Sequence, residues 1–422
     1  MRQIVILGAG TAGTVMANRL SRLLKRDIAA RRIQITIVDQ DTRHVYQPGL
    51  LLLPFGVYTP DQLVKERTRL LPKTVRYVQS AIEKLDTAAD TVTLAGGERL
   101  PYDVCIVATG TRIAPEETEG MLGDGWQRTI FDFYTYEGSV ALAKALETFT
   151  AGRLVINIVE MPIKCPVGPL EFAFLADWYF SRRGVRDKID IVYATPLDGA
   201  FTKPIASNAL LHLLKDKRIH VETEFNAGSV DGAAGKLVSW DDREIAFDLL
   251  VTIPLHKGAA FVERSEGLGD DMGFVLTDPN TLQAAVKPNV FAIGDATNVP
   301  TSKAGSVAHF EAEVLAPNVV RFLEGKPLAR DFDGHANCFI ETGFGKALLI
   351  DFNYDTEPLP GRFPLAVGPM SLLKESRVNH LGKMAFRHIY WNALLPGYSF
   401  PGISPRMTMT GKVRPGGATA AI

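Results

Sequence analysis

Cys165 is the residue of this chain best placed for nucleophilic chemistry. It lies in "VINIVEMPIKCPVGPLEFAF", Val155 to Phe174, which reads as an apolar strand, a tight turn and a helix. Lys164 precedes it and a helix N-terminus follows. A cation and a helix dipole both favour thiolate over thiol, so a reactive sulfur is expected here. Glu171 falls on the first turns of the same helix. It reads either as a general base for thiol protons or as an acid favoured near a helix N-terminus. Cys338, in "GHANCFIETGFGKALLIDF", opens a third region as a redox cysteine or a small packing residue at a strand start. Cys105, inside "DVCIVATG", reads as inert core. His256, in "TIPLHKGAA", reads as a proton shuttle or a satisfied histidine after a strand of the first domain. No cluster has metal-ligand spacing, so no metal is expected; His335 and Cys338 alone would not hold zinc.

The elements that must position these residues start at the amino terminus. "RQIVILGAGTAGTVMANRL" places Gly8, Gly10 and Gly13 directly after a β-branched strand. Gly8 makes the turn, Gly10 lets a pyrophosphate reach the backbone, and Gly13 lets the helix pack on the sheet. The helix N-terminus then holds the phosphate. A second strand, "IQITIVDQ", ends on Asp39, an acid placed for a ribose hydroxyl. "YDVCIVATGT" brings a strand to Thr109 and Gly110, and "PNVFAIGDATN" brings another to Gly294 and Asp295. Asp295 is placed to accept from a ribityl hydroxyl.

Together the fingerprint, the ATG turn and the late GD resemble the FAD-binding half of the flavoprotein disulfide reductase superfamily. Most members carry a second glycine fingerprint, for NAD(P)H, in a middle domain. Here its strand, "RLVINIVE", and its helix, "PLEFAFLADWYFSRRG", are kept, but the loop between them is not glycine-rich. Pro162 and Pro166 remove amide donors and fix φ. Met161, Ile163 and Lys164 put side chains where a pyrophosphate would press on backbone. NAD(P)H is therefore expected to bind poorly.

Bulk composition agrees. A chain of 422 residues is too long for one core and suggests two or three domains. With 46% hydrophobic and 22% charged residues and a net charge of −1, nothing favours nucleic acid. Three cysteines make no disulfide framework. No apolar run reaches the roughly 18 residues of a spanning helix. The first strand, at about Gln3, leaves no room for a cleavable signal peptide. No internal repeat is visible. The expected class is α/β: two Rossmann-like three-layer domains, one FAD-binding and one NAD-like, plus a C-terminal α+β domain. The expected boundaries are 1–112 plus 248–322, 113–247, and 323–422.

"GAGTAG", the Cys-Pro-x-Gly-Pro-x-Glu loop at Cys165 to Glu171, "VFAIGDAT" and the Cys of "NCFIETG" together resemble the sulfide:quinone oxidoreductases and flavocytochrome c sulfide dehydrogenases. That resemblance implies a Cys165/Cys338 redox pair, opened by hydrosulfide or a persulfide, with electrons passing through FAD to a quinone. Cys338 is assigned as sulfur carrier and Cys165 as flavin-facing, with the reverse left open. Many such enzymes tether FAD to a third cysteine. Here Phe131 stands near that place, so non-covalent FAD is expected. Lys303 begins the helix after the GD motif and is expected to steady reduced flavin. Tyr46, Phe344, Lys383 and Phe386 are expected to line a quinone pocket. The segment Phe363 to Gly402, with Leu381, Met384, Tyr390 and Trp391, reads as an interfacial helix giving peripheral, monotopic attachment to the cell membrane. A core helix, a cytoplasmic chain, a soluble flavoprotein passing electrons to a cytochrome, and a persulfide handler served by a carrier protein are the alternatives. A homo-oligomer is also among the expectations.

Overall fold

The computed structural model describes residues 1–414. Two five-stranded parallel sheets carry the chain. The first has the order Val290–Ala292, Val104–Val107, Arg2–Leu7, Ile33–Asp39, Val75–Gln79. The second has the order Ile130–Phe131, Leu249–Ile253, Gly152–Ile158, Ile189–Ala194, Ile219–Glu222. The inner strands are apolar on both faces, as parallel strands covered on both sides must be. Parallel neighbours need a crossover, and helices Thr11–Leu23 and Gly168–Arg182 supply it at the two glycine-loop positions. Before each sheet's strand Val104–Val107 or Leu249–Ile253 comes a three-stranded antiparallel meander. The two units thus share one plan, although no repeat is visible in sequence.

The expected boundary at residue 248 shifts. Leu249–Ile253 pairs in the second sheet, against Ile130–Phe131 and Gly152–Ile158. Its five buried apolar residues mark a central strand but do not say of which sheet. The chain returns to the first unit just afterwards, where His256–Lys257 pairs with Arg112–Ile113. His256 therefore follows a strand of the middle unit, not of the flavin unit.

The C-terminal region is α+β. Ala336–Gly343, Lys346–Phe352, Met370–Leu372 and Gly361–Phe363 form a four-stranded sheet, covered by helix Arg377–Ile389. Among the described residues, no helix is long and apolar enough to cross a membrane. The terminal helix is split in character. Val378 and Leu381 are exposed, at 42% and 64%. Tyr390 and Trp391, expected at a lipid interface, are instead core. They pack on Tyr46, with centroids 4.9 and 6.2 Å away, because the helix end turns inward over the flavin unit.

Candidate active site

The glycine turn is built as its spacing demands. Gly8 has φ +95°, and a Cβ there would meet the Ala108 carbonyl oxygen at 2.6 Å. A Cβ on Gly13 would lie 1.9 Å from the Gly8 oxygen, so helix and strand close only around glycine. At Gly10 a Cβ would meet no protein atom within 4 Å, and the residue lines a cavity of about 360 Å³. Its bareness serves a ligand and not the packing. Asp39 lines the same cavity, its carboxylate accepting from the Ala9 amide (2.6 Å) and Arg67 Nη1 (2.8 Å). Arg67 was not anticipated; it comes from a turn 28 residues downstream with no motif around it.

The other two turns close over the same space. Gly110, at φ +65°, and Thr109 line it, and the buried hydroxyls of Thr109 and Thr111 have no partner among the described residues. Gly294 donates its amide to Glu311 Oε2 (2.6 Å), which fixes the GD turn and sets Asp295 in the wall. Burial pushes the Glu311 carboxyl up to about 8. Burial also raises the Asp295 carboxyl, with Lys303 and Lys164 opposing. Lys303 does not begin the next helix, which starts at Gly305. Its ammonium is committed to the carbonyls of Thr297 (2.6 Å) and Asp295 (3.1 Å), bracing the GD turn from within, so its contact with a flavin is limited to lining the wall.

Cys165 stands at the N-terminal side of helix Gly168–Arg182 at φ +49°, a region non-glycine residues seldom adopt. Its backbone is held from three sides. The amide donates to the Lys303 carbonyl (2.7 Å), and the carbonyl accepts from Gly168 N (2.7 Å) and the Tyr134 hydroxyl (3.2 Å). A strained residue fixed this firmly is a mark of function. Cys338, on strand Ala336–Gly343, lines the same cavity, and both are free thiols. The expectation of an easily ionised Cys165 is overturned. Burial pushes its thiol far up, and Glu171 and Cys338 add to the rise; only Lys383 opposes appreciably. Cys338 is pushed up to about 12, again by burial first and Glu171 second. Cys105 is fully buried in strand Val104–Val107, and its thiol is raised by burial.

Glu171 is sealed in the interior. Its Oε2 accepts from Lys383 Nζ and from the Glu341 amide (2.8 Å). Lys383 also donates to the Phe339 carbonyl (3.2 Å). Burial raises the Glu171 carboxyl, while Glu171, Cys165 and Glu341 hold the proton on Lys383. This ion pair joins the cysteine helix to the terminal helix in the wall of the cavity that both cysteines line. Sequence placed Glu171 and Lys383 in separate roles, since 212 residues divide them. Tyr46, Phe386 and Tyr390 line the cavity beside them. Phe344 does not: it is 51% exposed, with Lys217 Nζ 4.7 Å over its ring. His256 is buried outside the lining, its Nδ1 donating to the Pro254 carbonyl (3.0 Å) and its Nε2 without a partner. Burial and Lys164 lower its pKa to about 3, which favours the neutral ring.

Bare backbone at Gly10 and Gly305, with unpartnered hydroxyls at Thr109 and Thr111 in the same wall, fits a flavin dinucleotide. Comparisons with known proteins point the same way. Residues 2–156 match the family model "Pyridine nucleotide-disulphide oxidoreductase", which implies a flavin cofactor. The mitochondrial sulfide:quinone oxidoreductase of Mus musculus is 26% identical over 405 residues, covering 94% of this chain and 87% of that protein. That of Schizosaccharomyces pombe is 27% identical, covering 92% and 89%. Among solved structures, the sulfide:quinone oxidoreductase of Aquifex aeolicus superimposes with a TM-score of 0.78 at 19% identity, covering 94% and 92% of the two chains. The chain is thus similar in sequence over nearly its whole length, and alike in fold, to sulfide:quinone oxidoreductases.

Proposed function

We propose that this protein oxidises sulfide, or a persulfide, through Cys165 and Cys338 and passes the electrons by way of FAD to a quinone. The observation that carries this reading is that both cysteines line one cavity with the glycine turns and with Tyr46, Lys383 and Phe386. Bound flavin supplies a two-electron acceptor beside the pair. The chain's own residues do the rest. With the two sulfurs joined, hydrosulfide attacks Cys338, a new sulfur–sulfur bond forms there, and Cys165 leaves with the bonding pair. Lys383 lines the cavity with both thiols and opposes the carboxylate of Glu171, easing the negative charge that each step creates. Glu171 takes or returns a proton at this position. Tyr46, Phe386 and Tyr390 offer ring faces to a flat acceptor at the other end.

Three finer points belong to the same proposal. FAD is held without a covalent bond, since Phe131 is a buried strand residue where a tether is sought. The protein sits peripherally on the membrane, through the exposed Val367 (92%), Leu365, Val378 and Leu381 with Lys374 and Arg377 nearby in sequence. The chain divides into a flavin unit, a middle unit that presents Cys165, and a C-terminal unit that presents Cys338 and covers the quinone end. Anaerobic titration tests the reading: sulfide should bleach the flavin absorbance and a soluble quinone should restore it. Flavin left oxidised by excess sulfide would sink the proposal.

A further inference from the structure

The dinucleotide turn and the terminal helix meet at one hydroxyl. Thr11, the first residue of helix Thr11–Leu23, has its Oγ1 2.7 Å from the Tyr390 hydroxyl, and the same hydroxyl lies 2.7 Å from His44 Nε2. Thr11 and Tyr390 line the cavity together with Gly8 and Gly10, although 379 residues separate them. Tyr390 and His44 are sealed, at 1% and 2% exposure. Tyr390 opens a π-helical turn, Tyr390–Leu394, a rare form that is frequent at functional sites. The segment after it runs along the same face of helix Thr11–Leu23. Asn18 Nδ2 donates to the Leu395 carbonyl (3.1 Å), and Arg22 donates to the carbonyls of Pro396 (2.5 Å) and Gly397 (2.6 Å). Those contacts already fasten the segment to the helix. The Tyr390 hydroxyl, at the phosphate end, bonds two polar side chains instead.

We propose that His44 and Tyr390 are positioning residues for the flavin dinucleotide: His44 N–H, Tyr390 O–H and Thr11 O–H form one chain of donors that ends on its pyrophosphate. The direction of the chain follows from His44. Its Nδ1 is buried with no partner among the described residues. Burial first and Arg67 second lower its pKa to about 3, which favours the neutral ring with a single N–H. A bare ring nitrogen left alone costs less than a buried N–H left alone, so the proton belongs on Nε2. Nε2 then donates to Tyr390 and Tyr390 donates to Thr11, which leaves the Thr11 proton for an acceptor in the cavity. The acceptor that the glycine turn prepares there is a pyrophosphate. Each donor polarises the next. Because Tyr390 directly follows helix Arg377–Ile389, the chain also ties retention of the cofactor to the docking of that helix. The inference rests on the flavin reading of the cavity and on neither sulfide nor quinone.

Cofactor affinity tests this without turnover. The full chain is purified with its flavin and diluted, and flavin fluorescence follows the release of FAD. Thr11→Val should raise the FAD dissociation constant about tenfold, the worth of one hydrogen bond to a charged acceptor. Tyr390→Phe, which keeps the ring, should raise it about fivefold. The double variant should bind no more weakly than Thr11→Val alone, because Tyr390 acts only through Thr11. Thr11→Ser keeps the hydroxyl, and His44→Gln keeps an N–H donor; both should stay within about twofold of the wild type, whereas His44→Leu should match Tyr390→Phe. The phosphorus NMR spectrum of the FAD-saturated proteins is the second measurement, and Thr11→Val and Tyr390→Phe should move the same pyrophosphate resonance. Unchanged affinity in Tyr390→Phe, losses that multiply in the double variant, or an unmoved phosphorus spectrum would each overturn the proposal. A wild type that binds no FAD would overturn the flavin reading with it, while a wrong assignment of substrate would show only in the sulfide titration.

Discussion

Lys383→Met isolates the ion pair in the cavity wall. In the wild type the Glu171 Oε2 accepts from two donors, Lys383 and the Glu341 amide. Removing the ammonium leaves a buried carboxylate with one neutral donor, a loss of about 3 kcal/mol or more. The carboxyl answers by keeping its proton. Burial already raises its pKa and Lys383 is the main group holding it down, so the variant's folded pKa climbs further. Folded chain then binds a proton that the unfolded carboxylate releases. The variant's stability deficit is therefore small below the ordinary Glu range of about 4 and grows as pH rises towards the new folded pKa. At about 2.1 cal/mol/K of unfolding entropy per residue, a chain of 422 residues loses roughly 1 °C per kcal/mol, so the melting temperature should fall roughly 3 °C at about pH 8 and much less at about pH 5.5. The double variant Glu171→Gln/Lys383→Met removes both charges and should recover at least half of the loss, since a buried pair replaced as a unit costs far less than one partner alone. Sulfide-driven flavin reduction should stay slow in it. Differential scanning calorimetry of single and double variants across pH decides the matter. A deficit independent of pH, or a double variant worse than the sum of the singles, would refute the placement of a charged pair here.

Gly10→Val should fold normally, because its side chain meets no protein atom within 4 Å at Cβ, and yet purify colourless; a yellow protein would show that the pyrophosphate lies elsewhere. Cys165→Ser and Cys338→Ser should each abolish flavin bleaching by sulfide, with the double variant little worse, whereas Cys105→Ala should keep turnover within about twofold and lose about 1 kcal/mol of stability. NADH should reduce the flavin far more slowly than sulfide, because Pro162, Lys164 and Pro166 occupy the turn a nicotinamide dinucleotide would need; rapid bleaching by NADH in stopped flow would refute that.

The dinucleotide turn, the GD turn and the cysteine loop are legible in sequence because each is a local rule. A glycine at φ +95° and one whose Cβ would lie 1.9 Å from a carbonyl oxygen are demanded by the backbone within a few residues. What escapes sequence is tertiary. Leu249–Ile253 looks the same whichever sheet receives it, and only pairing with Gly152–Ile158 moves it to the middle unit. Arg67 on Asp39 and Lys383 on Glu171 join residues 28 and 212 positions apart in the chain, and no pattern marks them. Tyr390 and Trp391 have the amphipathic look of interface residues, but the helix end turns them onto Tyr46 and His44.

The error over Cys165 is the most instructive of these. Two local features, a lysine next door and a helix start just ahead, argue for a thiolate. Both are present, and the thiol still rises. Lys164 is itself half-buried, its pKa lowered by desolvation, with Asp295 and Asp132 pulling it back up. Glu171 lies on the same helix as a second opposing charge. A closed site penalises every ion formed in it, and the penalty exceeds what one cation returns. Such a site suits a pair that rests as a disulfide and ionises only when hydrosulfide opens it. It suits a free reactive thiol poorly. The group that opposes the rise at both sulfurs, Lys383, therefore matters more than any resting ionisation. Under this view the rate of sulfide-driven flavin reduction should be governed by Lys383 and should be nearly indifferent to Lys164→Gln. A fall with Lys164→Gln as large as that with Lys383→Met, read by stopped flow on flavin-replete protein, would return the activating role to the neighbouring lysine.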